Sequence, residues 1–95
     1  MSIHDEIAEK LAKKFKTEYK SAKGIDLVLS NKVIEVETKK AGIDQGIKQV
    51  AKSSKPRYLA VNKINIQNAI KATLNTGIGV MNENGKIMKK ASRTK

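Results

Sequence analysis

The sequence has no cysteine and no tryptophan, one proline, three aromatic residues and only nine acidic side chains in 95 residues. Without cysteine, neither a disulfide framework nor a thiolate zinc site can form. Phe15, Tyr19 and Tyr58 are the only Phe, Tyr or Trp residues, and Phe15 and Tyr58 sit in apolar patterns that suit a core, so a stacking platform for unpaired bases is not expected. No apolar run approaches the roughly 20 residues that span a bilayer. The opening Met1-Ser-Ile-His-Asp-Glu6 lacks the basic and apolar stretches of a signal peptide. A soluble, cytoplasmic protein with no membrane partner is the expectation. Gly77-Ile-Gly79 is not followed by the Lys-Ser/Thr pair of a phosphate loop, so no small-molecule cofactor is expected. Two cores would each be too small to hold, so one domain is expected over 1–88, followed by a basic, flexible tail over 89–95.

What the chain does have is positive charge. Twenty Lys and Arg against nine Asp and Glu give +11. Residues 1–40 carry nine bases and seven acids (+2), whereas residues 41–95 carry eleven bases and two acids (+9). An excess of this size favours phosphate-bearing partners through counterion release. The plain alternative is a lysine-rich surface that serves solubility.

Ser2, with Asp5 three residues on, predicts a helix start, and Ile3, Ile7, Leu11 and Phe15 extend an apolar stripe over 3–15. His4, the one histidine, is read as a solvent-facing residue at that helix start. Residues 16–21 suit a short polar strand. Ile25–Ser30 and Lys32–Thr38 are β-rich runs joined as a hairpin. In the second, Ile34 and Val36 alternate with Glu35, Glu37 and Lys39. A helix follows from Ile43 and ends before Pro56, then a buried strand Tyr58–Val61. Asn65 is a candidate cap for a helix carrying Ile66, Ala69, Ile70, Thr73 and Leu74, with Gly77 as its stop. Asn84-Gly85 predicts a type I′ hairpin between Ile78–Met81 and Lys86–Met88. The passage 33–61 should pair its strands in parallel through a right-handed crossover, giving a mixed sheet with helices on both faces.

The acids gather where this order places a site. With Asn31-Lys32 as a two-residue turn, Ser30 pairs with Val33 and Asp26 falls opposite Glu37. Asp26, Glu35 and Glu37 then share one face, with opposed Cβ atoms about 4.5–5.5 Å apart. Carboxylates that close raise one another's pKa unless a cation intervenes. Mg2+ suits a site with one or two carboxylates plus phosphate oxygens, and Mn2+ is expected to substitute.

At these residues the chain resembles the PD-(D/E)XK nucleases, in their RecB-like and archaeal junction-resolving branch. Gly24-Ile-Asp26 resembles the family's Asp motif, and Val33-Ile-Glu35-Val-Glu37-Thr resembles its third-strand motif in an E-V-E-T-x-K form. The resemblance covers most of the chain, and Glu6 stands where the family carries a first-helix acid. It implies a restriction-endonuclease-like α/β fold with an αβββαβ core, followed here by an extra helix and a strand or hairpin. It also implies metal-assisted hydrolysis of DNA phosphodiesters. Asp26, Glu35 and Glu37 would hold the metal, Lys39 would stabilise developing charge, and Glu6 would contact a metal-bound water. Glu37 occupies the place of the usual lysine. Glu37-Thr-Lys39 read as E-X-K shifts the motif by two, so the choice between Glu37 and Lys39 for that role stays open. Gln45 or Gln49 matches the polar residue that many members carry in the following helix. Lys48, Lys52, Lys55 and Arg57 would track the DNA backbone, and a homodimer is expected by analogy. Two rivals remain: a non-catalytic nucleic-acid-binding protein on the same fold, and a structural or partner-binding domain.

Overall fold

The structure is a computed structural model that describes residues 2–19 and 24–92. Ser2 opens helix α1 (Ile3–Lys14), its hydroxyl accepting the Asp5 amide at 3.1 Å. Ile7, Ala8, Leu11 and Ala12 recur at three- and four-residue spacing and form the buried stripe. The helix ends in a Schellman arrangement. Lys16 takes φ 56°, its amide bonds the Lys13 carbonyl at 3.3 Å, and the Thr17 amide bonds the Ala12 carbonyl at 2.9 Å. That reversal is why residues 16–19 form no strand where a short polar one was expected. The remainder of that run, Lys20 and Ser21, lies outside the described residues.

Strands β1 (Leu27–Val28) and β2 (Val33–Glu37) pair antiparallel, Leu27 opposite Ile34 and Val28 opposite Val33. The Leu29 amide donates to the Lys32 carbonyl at 2.9 Å, so Ser30-Asn31 is the two-residue connection, one residue earlier than expected. Continuing this register puts Asp26 opposite Glu35 rather than Glu37. The pairing moves by two positions, so the side chains of β1 and β2 keep their faces.

A 3-10 turn (Lys40–Gly42) leads into α2 (Ile43–Ala51), and the chain returns through β3 (Arg57–Val61), parallel to β2. A second crossover, through a 3-10 turn (Lys63–Asn65) and α3 (Ile66–Ala72), reaches β4 (Gly79–Met81), parallel to β3. Strand β5 (Ile87–Lys89) adds antiparallel to β4 and completes the order β1-β2-β3-β4-β5. The described residues thus form an α/β domain with a mixed sheet.

Strand alternation builds two cores. Leu27, Ile34, Val36, Tyr58, Ala60 and Met81 meet α1 on one face. Val33, Leu59, Val61 and Val80 meet Ile43 and Val50 of α2 and Ala69 of α3 on the other. All five residues of β3 are buried, as its place in the middle of the sheet requires.

Some local expectations are corrected. Asn65 makes no capping bond. Its buried amide donates to the Thr38 carbonyl at 3.0 Å and to Asn62 Oδ1 at 2.8 Å, tying the end of β2 to the start of α3. Leu74 lies beyond the end of α3 and is exposed. Asn84-Gly85 does not make a two-residue turn. The Asn82 amide bonds the Lys86 carbonyl, leaving Glu83-Asn84-Gly85 as a three-residue loop with Gly85 at φ 83°. Lys89, where the tail was expected to begin, closes β5. Ala91 and Ser92 donate to Tyr58 Oη and the Gly77 carbonyl; 93–95 lie outside the described residues.

Candidate functional site

The site grows from the short length of β1. Leu29 and Lys32 form a hydrogen-bonded pair, and such pairs alternate along an antiparallel ladder, so Leu27 with Ile34 is the next. The one after would join Ile25 to Val36. Instead the Val36 amide donates to Asp26 Oδ2 at 3.0 Å. The Asp26 carboxylate therefore takes the acceptor position that a continued strand would have filled with a backbone carbonyl. This lays it in the plane of the sheet beside β2, where it is almost fully buried. Glu35 completes the exchange, its Oε1 accepting the Asp26 amide at 3.0 Å.

Glu35 and Glu37 share the β2 face that carries Val33, the face packed by α2. Glu37 lies against the first turn of that helix. A Cβ on Gly42 would meet Glu37 Oε1 at 2.5 Å, and one on Gly46 would meet Glu37 Cγ at 2.8 Å and Leu59 Cδ2 at 3.1 Å. Glycine at both positions is what lets the carboxylate sit there. Among the described residues, no hydrogen bond or ion pair engages that carboxylate.

All three carboxyls titrate above their ordinary range, each chiefly because burial disfavours the charged form. Glu35 is pushed up to about 8, with the charges of Asp26 and Glu37 adding to burial against the bond from the Asp26 amide. Asp26 is raised by burial against the opposing Val36 amide and His4. Glu37 is raised by burial and by Asp26, with His4 opposing. Crowding of like charges, the expected cause, comes second to burial at Glu35 and Glu37, and at Asp26 the like charge is that of Asp5.

Helix α1 supplies a group other than the expected one. Glu6 is exposed, whereas His4 is half-buried with Nε2 3.2 Å from Asp26 Oδ2. Two residues on a helix lie about 200° apart around the axis, so both cannot face the sheet. The solvent-facing reading of His4 is thus corrected. The signal was available, because His4, Ile7 and Leu11 follow the spacing of the buried stripe. Tyr19 Oη donates to Asp5 Oδ1 at 2.7 Å and lies 3.2 Å from His4 Nδ1. The hydrogen bond from Tyr19 holds the Asp5 carboxyl low, and burial, with Asp5, pushes the Tyr19 phenol up.

The basic candidates divide. Lys39 is exposed two residues beyond Glu37. Gln45, Lys48 and Lys52 are exposed on α2 or at its end at three- and four-residue spacing, with Gln49 half-buried between them. Lys55 is half-buried and donates to the Leu29 carbonyl at 2.7 Å. Arg57 is removed from the phosphate-tracking set. Its place in the central strand buries it, and its guanidinium donates to the Ala51 and Thr76 carbonyls at 3.4 and 3.1 Å.

Hard carboxylate oxygens, one of them on an unengaged side chain, suit a divalent cation such as Mg2+ or Mn2+ in donor type. Among the described residues, no three His, Asp or Glu side chains already converge in metal-holding geometry. The fit is therefore one of donor chemistry and proximity, and side-chain rotation would have to complete it. Compared with family models, curated proteins and solved structures, the chain matches none.

Proposed function

We propose that this chain is a divalent-metal-dependent nuclease that hydrolyses phosphodiester bonds in DNA on a restriction-endonuclease-like sheet. The observation that carries the reading is the coupling of Asp26 and Glu35 across β1 and β2. Glu37 lies next along the same face, in a molecule of net charge +11. Element order supports it. A helix, an antiparallel strand pair, a crossover helix and a parallel strand follow one another in the order that the acid-bearing part of an αβββαβ core would have. The first strand of that core has no counterpart among the described residues.

Asp26, Glu35 and Glu37 are the residues that would hold Mg2+ or Mn2+. Such an ion, when bound, polarises a phosphoryl oxygen and lowers the pKa of water. Lys39 offers an ammonium at the open end of β2 to offset developing phosphate charge. Lys48 and Lys52, with Gln45 beside them, present contacts to the DNA backbone that position it without reading sequence. Val36 and His4 hold Asp26 in place. One observation favours a nucleic-acid-binding protein without catalysis: Asp26 Oδ2 already has two protein partners.

Incubation with supercoiled plasmid separates the two. Nicked or linear DNA is expected with Mg2+ or Mn2+, with loss of cutting on chelation and in Asp26→Asn and Glu35→Gln. Intact plasmid, together with intact nicked and branched duplexes at saturating metal, overturns hydrolysis and leaves the binding reading.

A further inference from the structure

We infer that His4 is a positioning residue for the acidic site, fixing the Asp26 carboxylate from helix α1. This rests on the metal-site reading above. Asp26 precedes an edge strand only two residues long, so the ladder restrains its backbone weakly. Its side chain is restrained instead, by the Val36 amide at 3.0 Å and His4 Nε2 at 3.2 Å, both on Oδ2. Oδ1 is then the oxygen left without a hydrogen-bond partner among the described residues, and it is the one that a metal would take.

His4 is itself restrained. Tyr19 Oη, which donates to Asp5 Oδ1 at 2.7 Å, lies 3.2 Å from His4 Nδ1 and fixes that side of the ring. Nε2 is thereby turned toward Asp26. Asp5 belongs to the same first turn, whose start Ser2 caps, so the chain Asp26–His4–Tyr19–Asp5 ends on a rigid element. The Ile7, Ala8, Leu11 and Ala12 stripe seats that element on the sheet face opposite Glu35 and Glu37. Helix α1 thus sets one side of the site and β2 the other, and the carboxylate of Asp26 is held between them.

The test is calorimetric titration of the full chain with Mn2+ alone, with thermal melts of each variant. His4→Phe removes the bond to Oδ2 and is expected to weaken Mn2+ binding about tenfold or more, the usual scale for losing a group that orients a ligand. His4→Gln, whose amide reaches a similar position and can donate, is expected to recover most of that loss. A purely structural role predicts no such rescue at equal melting temperature. Tyr19→Phe, which removes only the hydroxyl holding Nδ1, is expected to weaken binding several-fold, and it carries the test alone if His4→Phe does not fold. Wild-type affinity in Tyr19→Phe and in a folded His4→Phe overturns the positioning role while the metal reading stands, provided Asp26→Asn abolishes binding. A wild-type chain that takes up no Mn2+ overturns both.

Discussion

At Glu35, burial and two neighbouring carboxylates act in the same direction, and the consequence is a pH-dependent stability. The native side chain keeps its proton to about 8, whereas an unfolded glutamate loses it near 4.3. Between those values the native state binds more protons than the unfolded state. Stability is therefore fully present below about 4.3, falls as pH rises, and levels off above about 8. Asp26 and Glu37, shifted the same way, add to the fall. Urea unfolding of the metal-free chain should show this decline. Glu35→Gln keeps an acceptor for the Asp26 amide and removes the buried charge. It is expected to flatten the profile and, discounted for the solvent that reaches this half-buried carboxyl, to raise stability above pH 8 by about 1 kcal/mol, roughly 4–8 °C in Tm for a domain of this size. A variant no more stable than the wild type at pH 8.5 contradicts the burial argument.

Helix α2 approaches β2 closely because it carries glycine where the two elements meet. Gly46→Ala should gain up to about 1 kcal/mol of helix propensity. The added methyl would meet Glu37 Cγ and Leu59 Cδ2, and the neighbour it strikes first is the stem of a site residue. Overpacking of this kind costs about 1–3 kcal/mol, so net destabilisation is expected in chemical denaturation, with weaker Mn2+ binding as Glu37 is displaced. Unchanged stability and metal affinity contradict this packing. Elements with a clear period could be read directly from the chain. The Ile7–Leu11 stripe, the alternation of Val33–Glu37 and the apolar run into Val61 each name their buried side. The common face of Glu35 and Glu37 was legible for the same reason, whereas Asp26 joins them from beyond the end of β1 through the Val36 amide and the Glu35 carboxylate, which alternation does not show. Turn chemistry was not. Ser30-Asn31-Lys32 holds neither glycine nor proline to fix which pair closes the hairpin. Lys16 takes a left-handed backbone that its side chain does not advertise. Arg57 was misplaced because a charged residue suggests a surface, whereas a central strand and two carbonyl acceptors hold it inside.

Across the whole molecule, charge is divided by role. The acids of the site are buried or half-buried in and beside β2, while lysines such as Lys39, Lys48 and Lys52 face solvent. If these lysines meet phosphate, log affinity for DNA falls linearly with log salt. Lys48→Ala and Lys52→Ala should each weaken binding uniformly across sequences and reduce that slope by about one. Filter binding across a salt series checks this, and an affinity indifferent to salt contradicts it. A homodimer, proposed by analogy, would bring two such sites to the two strands of a duplex. The most direct test of the central claim is Mn2+ added substoichiometrically to the 15N-labelled chain. Paramagnetic broadening should appear first at the amides of Asp26, Val36 and Glu37 and at Gly42 in the turn leading into α2, and should vanish in Asp26→Asn/Glu35→Gln. Broadening centred on Asp44 or Glu83, or none at these amides, would contradict the account.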